Sequence, residues 1–217
     1  MRAEIAVATV QGKPYYMIVA ELKRRNIPFI SLIPTDPVPI ETKVVITTED
    51  ERDQVKHERI LAYHNEMDVE TLINEALQLA QGKESYGRVT IGIDPGEIFS
   101  LAVLADGKVV QTENCFSIEE TATRIEFILN GFEDTPIYSL SVKIGDGVRP
   151  CKEKLLHALD MALPTNVVLE SVSEAGTNRN LDKAKHRRGL RDIVSAIKIA
   201  GRNGHTYQRG KTNESSS

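Results

Sequence analysis

The chain has 217 residues, 41% hydrophobic and 27% charged, with a formal net charge of -4. That apolar share is enough for a packed core and excludes a wholly disordered chain; the length fits one large domain or two small ones. With no tryptophan and 5% aromatics, the core must rest on Ile, Leu, Val and Ala. No apolar run approaches the roughly 20 residues that a membrane-spanning helix needs. The N-terminus lacks the apolar block of a secretory signal, so the expectation is a cytoplasmic protein. Cys115 and Cys151 are too few and too far apart for a disulfide framework or a zinc knuckle, and are expected to be reduced thiols.

In chain order, residues 3–10 are apolar enough for a buried strand, and 14–26 carry a helical pattern through Met17, Ile18 and Leu22. Residues 28–33 form a second strand. Three prolines make 34–41 irregular. A third strand is expected at 43–47, a short exposed helix or loop at 49–58, and a fourth strand at 60–63. Residues 68–81 read as an amphipathic helix with Leu72, Ile73, Leu77 and Leu79 apolar. Strands alternating with a helical pattern imply a small, mostly parallel sheet over residues 1–82, of unknown role.

Residues 83–88, Gly-containing and polar, read as a linker. A different rhythm follows over 89–205. Val89–Ile93 is a strand ending in Asp94-Pro95-Gly96, and Phe99–Leu104 is a second strand. Asp106-Gly107 is a hairpin turn, because that pair accepts the positive φ that matches strand twist. Lys108–Thr112 is a third strand. Ser117 and Glu120 have capping-box spacing and open a helix to about residue 131. A fourth strand is expected at 136–144, a helix at 150–162, a fifth strand at 166–170, and a last helix near 190–200. The order β-β-β-α-β-α-β-α is that of a ribonuclease H-like mixed sheet, so the expected fold class is α/β with that sheet behind a smaller α/β domain. Residues 206–217 read as a basic and polar tail, expected to be disordered.

Charge is segregated. Asn178–Lys211 holds ten Lys or Arg and two acids, a sum of +8, so the other residues sum to -12. Such segregation provides one surface suited to a polyanion. Within it, Lys183, Lys185, His186, Arg187, Arg188 and Arg191 are the candidate nucleic-acid contacts.

Acids recur where strands end. Asp94 closes an apolar strand beside a forced turn, Asp146 follows the fourth strand, Glu170 ends the fifth, and Asp192 begins the last helix. Each alone has an ordinary explanation in turn chemistry or helix-dipole preference. Together they form a candidate catalytic and metal-binding set, Asp94, Asp146, Glu170 and Asp192. Phosphodiester hydrolysis needs a hydroxide nucleophile and charge stabilisation at the attacking and leaving oxygens. Two divalent ions supply both, and Mg²⁺ or Mn²⁺ takes carboxylate oxygens. Glu119 and Glu120 are better explained by helix capping. His57, His64 and His157 lack metal-ligand spacing; the first two are expected at the surface and the third as a packing residue. Tyr207, among His205, Arg209 and Lys211, has the composition of a base-stacking tail.

The segment VTIGIDPGEIFSLAVLADGKVV resembles the first hairpin of the RuvC and YqgF families of Holliday-junction resolvases and their relatives. The stretch from Glu170 through Ala200 is similar to the YqgF ending. The resemblance covers residues 88–203. It implies that Asp94 is a metal ligand, that Glu170 and Asp192 take the family's later acidic positions, and that the protein is a nuclease acting on branched DNA or structured RNA as a homodimer. The chain departs from RuvC by Gly189, where a second acid or His stands, and from YqgF by Gly145-Asp146-Gly147 without a proline. Two other readings are a nucleic-acid-binding module that has lost catalysis, and an ATPase or phosphotransferase of the actin and sugar-kinase type. The second needs a nucleotide-closing partner subdomain, and residues 1–82 contain no second D-x-G hairpin.

Overall fold

The computed structural model describes residues 3–64, 68–132, 136–147, 149–173 and 188–210, and for 149 and 188–191 the backbone alone. Two compact units divide the chain at Ser85/Tyr86, the first also taking residues 131–136. Among the described residues no helix is long and apolar enough to cross a membrane.

The first unit is built on four parallel strands, β1 (Ile5–Ala8), β2 (Phe29–Leu32), β3 (Val44–Thr48) and β4 (Ile60–Tyr63), in the order β2-β1-β3-β4. The apolar runs of β1 and β3 are buried on both faces, as parallel strands under helices require. Helix α1 (Gly12–Arg24) buries Ile18, Val19 and Leu22, and α2 (Val69–Ala80) buries Leu72, Ile73 and Ala76 in the same core. Asp68 caps α2 by accepting the Thr71 N–H at 3.1 Å. Between the helices lies a buried ionic network. The Arg25 guanidinium, with no exposed side-chain surface, donates to Glu21 and, at 2.6 Å, to Asn74 Oδ1, and stands 3.5 Å from Glu70. The short exposed helix or loop expected after β3 is a 3₁₀ turn, Glu49–Gln54, exposed except at Glu51, which is buried.

The second unit is a six-stranded mixed sheet. Its strands are β5 (Val89–Pro95), β6 (Phe99–Ala105), β7 (Lys108–Cys115), β8 (Leu140–Gly145), β9 (Val168–Val172) and β10 (His205–Thr206), in the order β10-β9-β8-β5-β6-β7. β5 and β6, and β6 and β7, pair antiparallel; β5 and β8, and β8 and β9, pair parallel. The Asp106-Gly107 turn has φ of 47° and 80°, as the hairpin required. Helix α3 (Ile118–Asn130) opens with Ser117 Oγ accepting the Glu120 N–H, while the Glu120 carboxylate accepts the Phe116 N–H, so Glu120 caps. Helix α4 (Arg149–Ala162) and helix α5 (Arg188–Gly201) complete the unit.

Helix α5 lies on the Gly92 face of β5 and β6. A Cβ at Gly92 would stand 2.2 Å from the Ala196 carbonyl oxygen and 2.6 Å from the Ala200 nitrogen, so only glycine admits the helix at this distance. Ala102, Leu104, Ala196 and Ala200 form the apolar contact around that crossing.

Several boundaries differ from the sequence reading. Tyr86, inside the expected linker, is buried and bridges Ile137. The fifth strand of the expected order begins and ends two residues later, because its partner β8 extends to Gly145 opposite Val172. The chain beyond residue 205 is not a loose tail up to Gly210. His205–Thr206 pair with Ser171 and Glu170, the Tyr207 N–H donates to Leu169, and Arg209 is seated at the end of α4. Its guanidinium pairs with Asp160 at 2.9 Å and donates to the carbonyls of Asp160, Leu163, Pro164 and Val167. Those carbonyls cluster at the helix C-terminus, where a cation is favoured.

Candidate functional site

Strand pairing places residues of neighbouring strands level with one another, and alternation assigns them to a face. Asp94 is level with Ser100 on β6, and Ser100 with Asn114 on β7; Ser100 donates to Asn114 Oδ1 at 2.7 Å. Asp94 was expected to end its strand at a forced turn. The strand instead continues through Pro95, which pairs with Phe99, and the turn falls after it. Asp94 is half-buried, two residues from Gly92 and on the same face, towards α5.

Asp146 lies one residue beyond β8 and is half-buried. Because β5 and β8 are adjacent and parallel, with Ile93 opposite Ile144, Asp94 and Asp146 emerge at neighbouring carboxyl ends, about 6 Å apart in backbone position from strand spacing and rise. Asp192 is the fifth residue of α5, one turn before Ala196 and on its side of the helix, also half-buried.

Glu170 is elsewhere. Rather than ending its strand, it is the third residue of β9, level with Lys143 of β8 and with Gly92. Its carboxylate is 3.3 Å from Lys143 Nζ and accepts the Gly204 N–H at 3.1 Å. Lys143 also donates to the Arg202 carbonyl at 2.5 Å. Both Glu170 and Lys143 thus fasten the turn between α5 and β10 to the sheet. Sequence reasoning missed Lys143, Ser100 and Asn114, since nothing local separates them from ordinary strand residues.

Lys183, Lys185, His186 and Arg187 lie outside the described residues. Arg188 and Arg191 are placed only by backbone, in the first turn of α5. Among the described residues, no group of three or more His, Cys, Asp or Glu side chains stands ready to hold a metal ion. Glu170 is engaged through one oxygen, Oε2, which takes both the Lys143 ammonium and the Gly204 N–H, and it stands below the rim, level with Gly92. Asp94 is compatible with a divalent cation: it is a hard oxygen donor at a strand end, on the sheet face that α5 and Asp192 also take, and Mg²⁺ is ordinarily held by one or two carboxylates while keeping its waters. Asp146 adjoins it in backbone position, but alternation from Ile144 sets it towards the other face.

The remaining candidates take structural roles. Cys115 and Cys151 are free thiols. Burial, with Glu120 and Glu113 nearby, pushes the Cys115 thiol up to about 11, which removes it as a nucleophile at neutral pH. His157, expected to pack, is exposed; His64 is exposed, and His57 is bonded to the carbonyls of Arg59 and Thr42.

The first unit carries a second polar cluster that the sequence did not announce. At the carboxyl ends of β1 and β3, where ligands of parallel sheets commonly sit, the buried Glu51 carboxylate accepts the Thr9 hydroxyl, the Val10 N–H at 2.9 Å and the Thr48 hydroxyl at 2.7 Å. Burial raises its proton affinity, but these three donors outweigh burial and hold it below the ordinary carboxylate value.

Residues 4–79 match the family described as response regulator receiver-like domain. No curated protein matches the chain. No solved structure matches it.

Proposed function

We propose that the second unit is a ribonuclease H-like, divalent-metal-dependent nuclease domain that hydrolyses phosphodiester bonds in branched DNA or structured RNA. The observation that carries this reading is the sheet order. Numbered from β5, it runs 6-5-4-1-2-3, with an antiparallel second strand and a terminal helix crossing the first strand. Its 5-4-1-2-3 part matches the order expected of a ribonuclease H-like sheet, which supports the reading, as does the emergence of Asp94 and Asp146 at adjoining strand ends. Asp94, Asp146 and Asp192 are the residues assigned to the chemistry. Asp94 would hold the cation together with Asp192, from the helix that Gly92 admits on the same face, with Asp146 beside them at the adjoining strand end. A bound Mg²⁺ or Mn²⁺ supplies Lewis-acid stabilisation of phosphoryl oxygens and acidifies water. The basic run 183–191, which leads into α5, contacts backbone phosphates and makes binding salt-sensitive. The first unit, given its receiver-like match, is a partner-binding or positioning module.

A second reading has its own support: a domain that binds nucleic acid without cleaving it. The Lys143–Glu170 pair withdraws one of the four acids from catalysis and favours this alternative.

The test is a cleavage panel of four-way junction, flap, duplex and hairpin RNA, with Mg²⁺ or Mn²⁺, wild type beside Asp94→Asn. Metal-dependent cleavage by the wild type and its loss in a folded Asp94→Asn support the nuclease. Salt-sensitive binding without cleavage selects the second reading. Neither binding nor cleavage of any substrate overturns both.

A further inference from the structure

Among the described residues, the face of the second sheet that carries α5 is not fully covered. Beside the C-terminal end of the helix, a cleft of about 310 Å³ opens over the amino-terminal halves of β5 and β8. Its lining includes Arg88, Ser139, Ser141, Lys143, Glu170 and Thr206. Ser139, Ser141 and Lys143 alternate along one chain segment and so point to one side. Ser141 Oγ lies 3.3 Å from Thr90 Oγ1 on the neighbouring strand. Arg88 precedes β5 level with Ser139, by extension of the Val89–Leu140 register.

A sheet face next to a packed helix is ordinarily apolar, yet this stretch presents hydroxyls and two cations. The Lys143 side chain is 9% exposed and so belongs to the floor of the cleft. The one acid in the lining, Glu170, is already held by Lys143 and by the Gly204 N–H. With that charge compensated, Arg88 leaves the lining net positive. Guanidinium and hydroxyl donors around a volume at the lower end of small-ligand pockets suit a compact anion with several acceptor oxygens.

We propose that this cleft binds a phosphate group, with Arg88 and the Ser139 and Ser141 hydroxyls as its donors and the Lys143–Glu170 pair as its fixed floor. The phosphate comes either from a mononucleotide or from the backbone of a nucleic-acid strand. Arg88 and Asp94 are six residues apart on the same face, about 20 Å along the strand. A mononucleotide in the cleft therefore does not reach the carboxylate rim, whereas a strand can occupy both. The proposal stands on the cleft alone and is independent of cleavage at Asp94.

The test is calorimetric titration of the full chain at fixed ionic strength with inorganic phosphate, adenosine 5′-monophosphate and a short oligothymidylate. Arg88→Gln and Ser139→Ala are the variants: both residues are exposed, and the Arg88 contact with Asp106 is made by the backbone N–H. Saturable phosphate binding weakened about tenfold or more in Arg88→Gln, and less in Ser139→Ala, is the expected result. A mononucleotide binding as tightly as the oligomer assigns the phosphate to a small ligand; a tighter oligomer that loses its advantage in Arg88→Gln assigns it to a strand. Asp94→Asn should bind phosphate as the wild type does, whatever its effect on cleavage. Absence of saturable phosphate binding overturns the proposal. So does equal binding by Arg88→Gln, or tighter binding by Asp94→Asn, since loss of a repelling carboxylate would place the phosphate at the rim.

Discussion

Replacing Gly92 with alanine tests how the candidate site is assembled. The added Cβ would stand 2.2 Å from the Ala196 oxygen, 2.6 Å from the Ala200 nitrogen and 2.7 Å from the Ala200 Cβ. Two of these atoms are backbone, so no side-chain rotation relieves the overlap. Ordinary contact requires α5 to retreat by roughly 1 Å, given the steep repulsion inside van der Waals distance. That retreat loosens Ala196, Ile199 and Ala200, all buried. Overpacking of a well-filled core costs about 1–3 kcal/mol, and the backbone location of the clash puts Gly92→Ala at the upper end, about 3 kcal/mol. For a unit of this size that corresponds to a fall in Tm of about 8–12 °C. Differential scanning calorimetry of the purified chain reads it. The matched control is Gly201→Ala, at the last residue of α5, where a Cβ meets nothing within 4 Å; helix propensity makes it neutral or slightly stabilising. A Gly92→Ala transition within about 1 °C of wild type would refute the close approach of α5, and with it the placement of Asp192 relative to β5.

Arg209→Ala leaves Asp160, which is buried, without its guanidinium and uncovers the carbonyls at the end of α4. The expected loss is about 3 kcal/mol, measured by urea unfolding; a loss under about 0.5 kcal/mol would mean that the segment after β10 is not anchored. In the first unit, burial raises Glu21 and Glu51, but Arg24 and Arg25 for the one and three hydrogen-bond donors for the other hold both below their ordinary 4.5. The folded state then binds fewer protons than the unfolded state, so this stability is fully present above 4.5 and is lost as pH falls through the depressed values. Urea midpoints followed by circular dichroism from neutral pH to about 3 should decline over that window, with a shallower decline in Glu51→Gln.

What the sequence made legible is what local chemistry decides. Asp106-Gly107 admits one kind of turn, so the β6–β7 hairpin was readable from two residues. Ser117 and Glu120 marked the start of α3 by spacing alone. The alternation of strands and helices gave both sheets their class. What it hid depends on partners far along the chain. Glu51 sits in a charged run, EDERDQ, which reads as solvated; it is buried because Thr9, 42 residues earlier, supplies a hydroxyl. Arg209 reads as part of a basic tail; its partner Asp160 is 49 residues away. Glu170 was placed at a strand end because apolar residues stop there, but pairing with β8 carries β9 through Ser171 and Val172.

That two-residue extension changes the chemistry assigned to Glu170. Had β9 ended at Glu170, its carboxylate would share the rim with Asp94 and Asp146. In the observed register it is level with Gly92, two residues below Asp94, and level with Lys143. Its Oε2 takes both the Lys143 ammonium at 3.3 Å and the Gly204 N–H at 3.1 Å. Displacing that ammonium would leave Lys143, with a 9% exposed side chain, buried without its anion, a costly state. Loss of the N–H bond would free the turn that carries Gly204, whose missing Cβ is what lets the backbone approach Glu170. Glu170 and Lys143 are therefore best understood as one neutral structural unit that ties the end of α5 to the sheet. Among the described residues, the proposed hydrolytic chemistry therefore draws on Asp94, Asp146 and Asp192, with α5 held in place by Gly92 at its crossing and by this ion pair at its end.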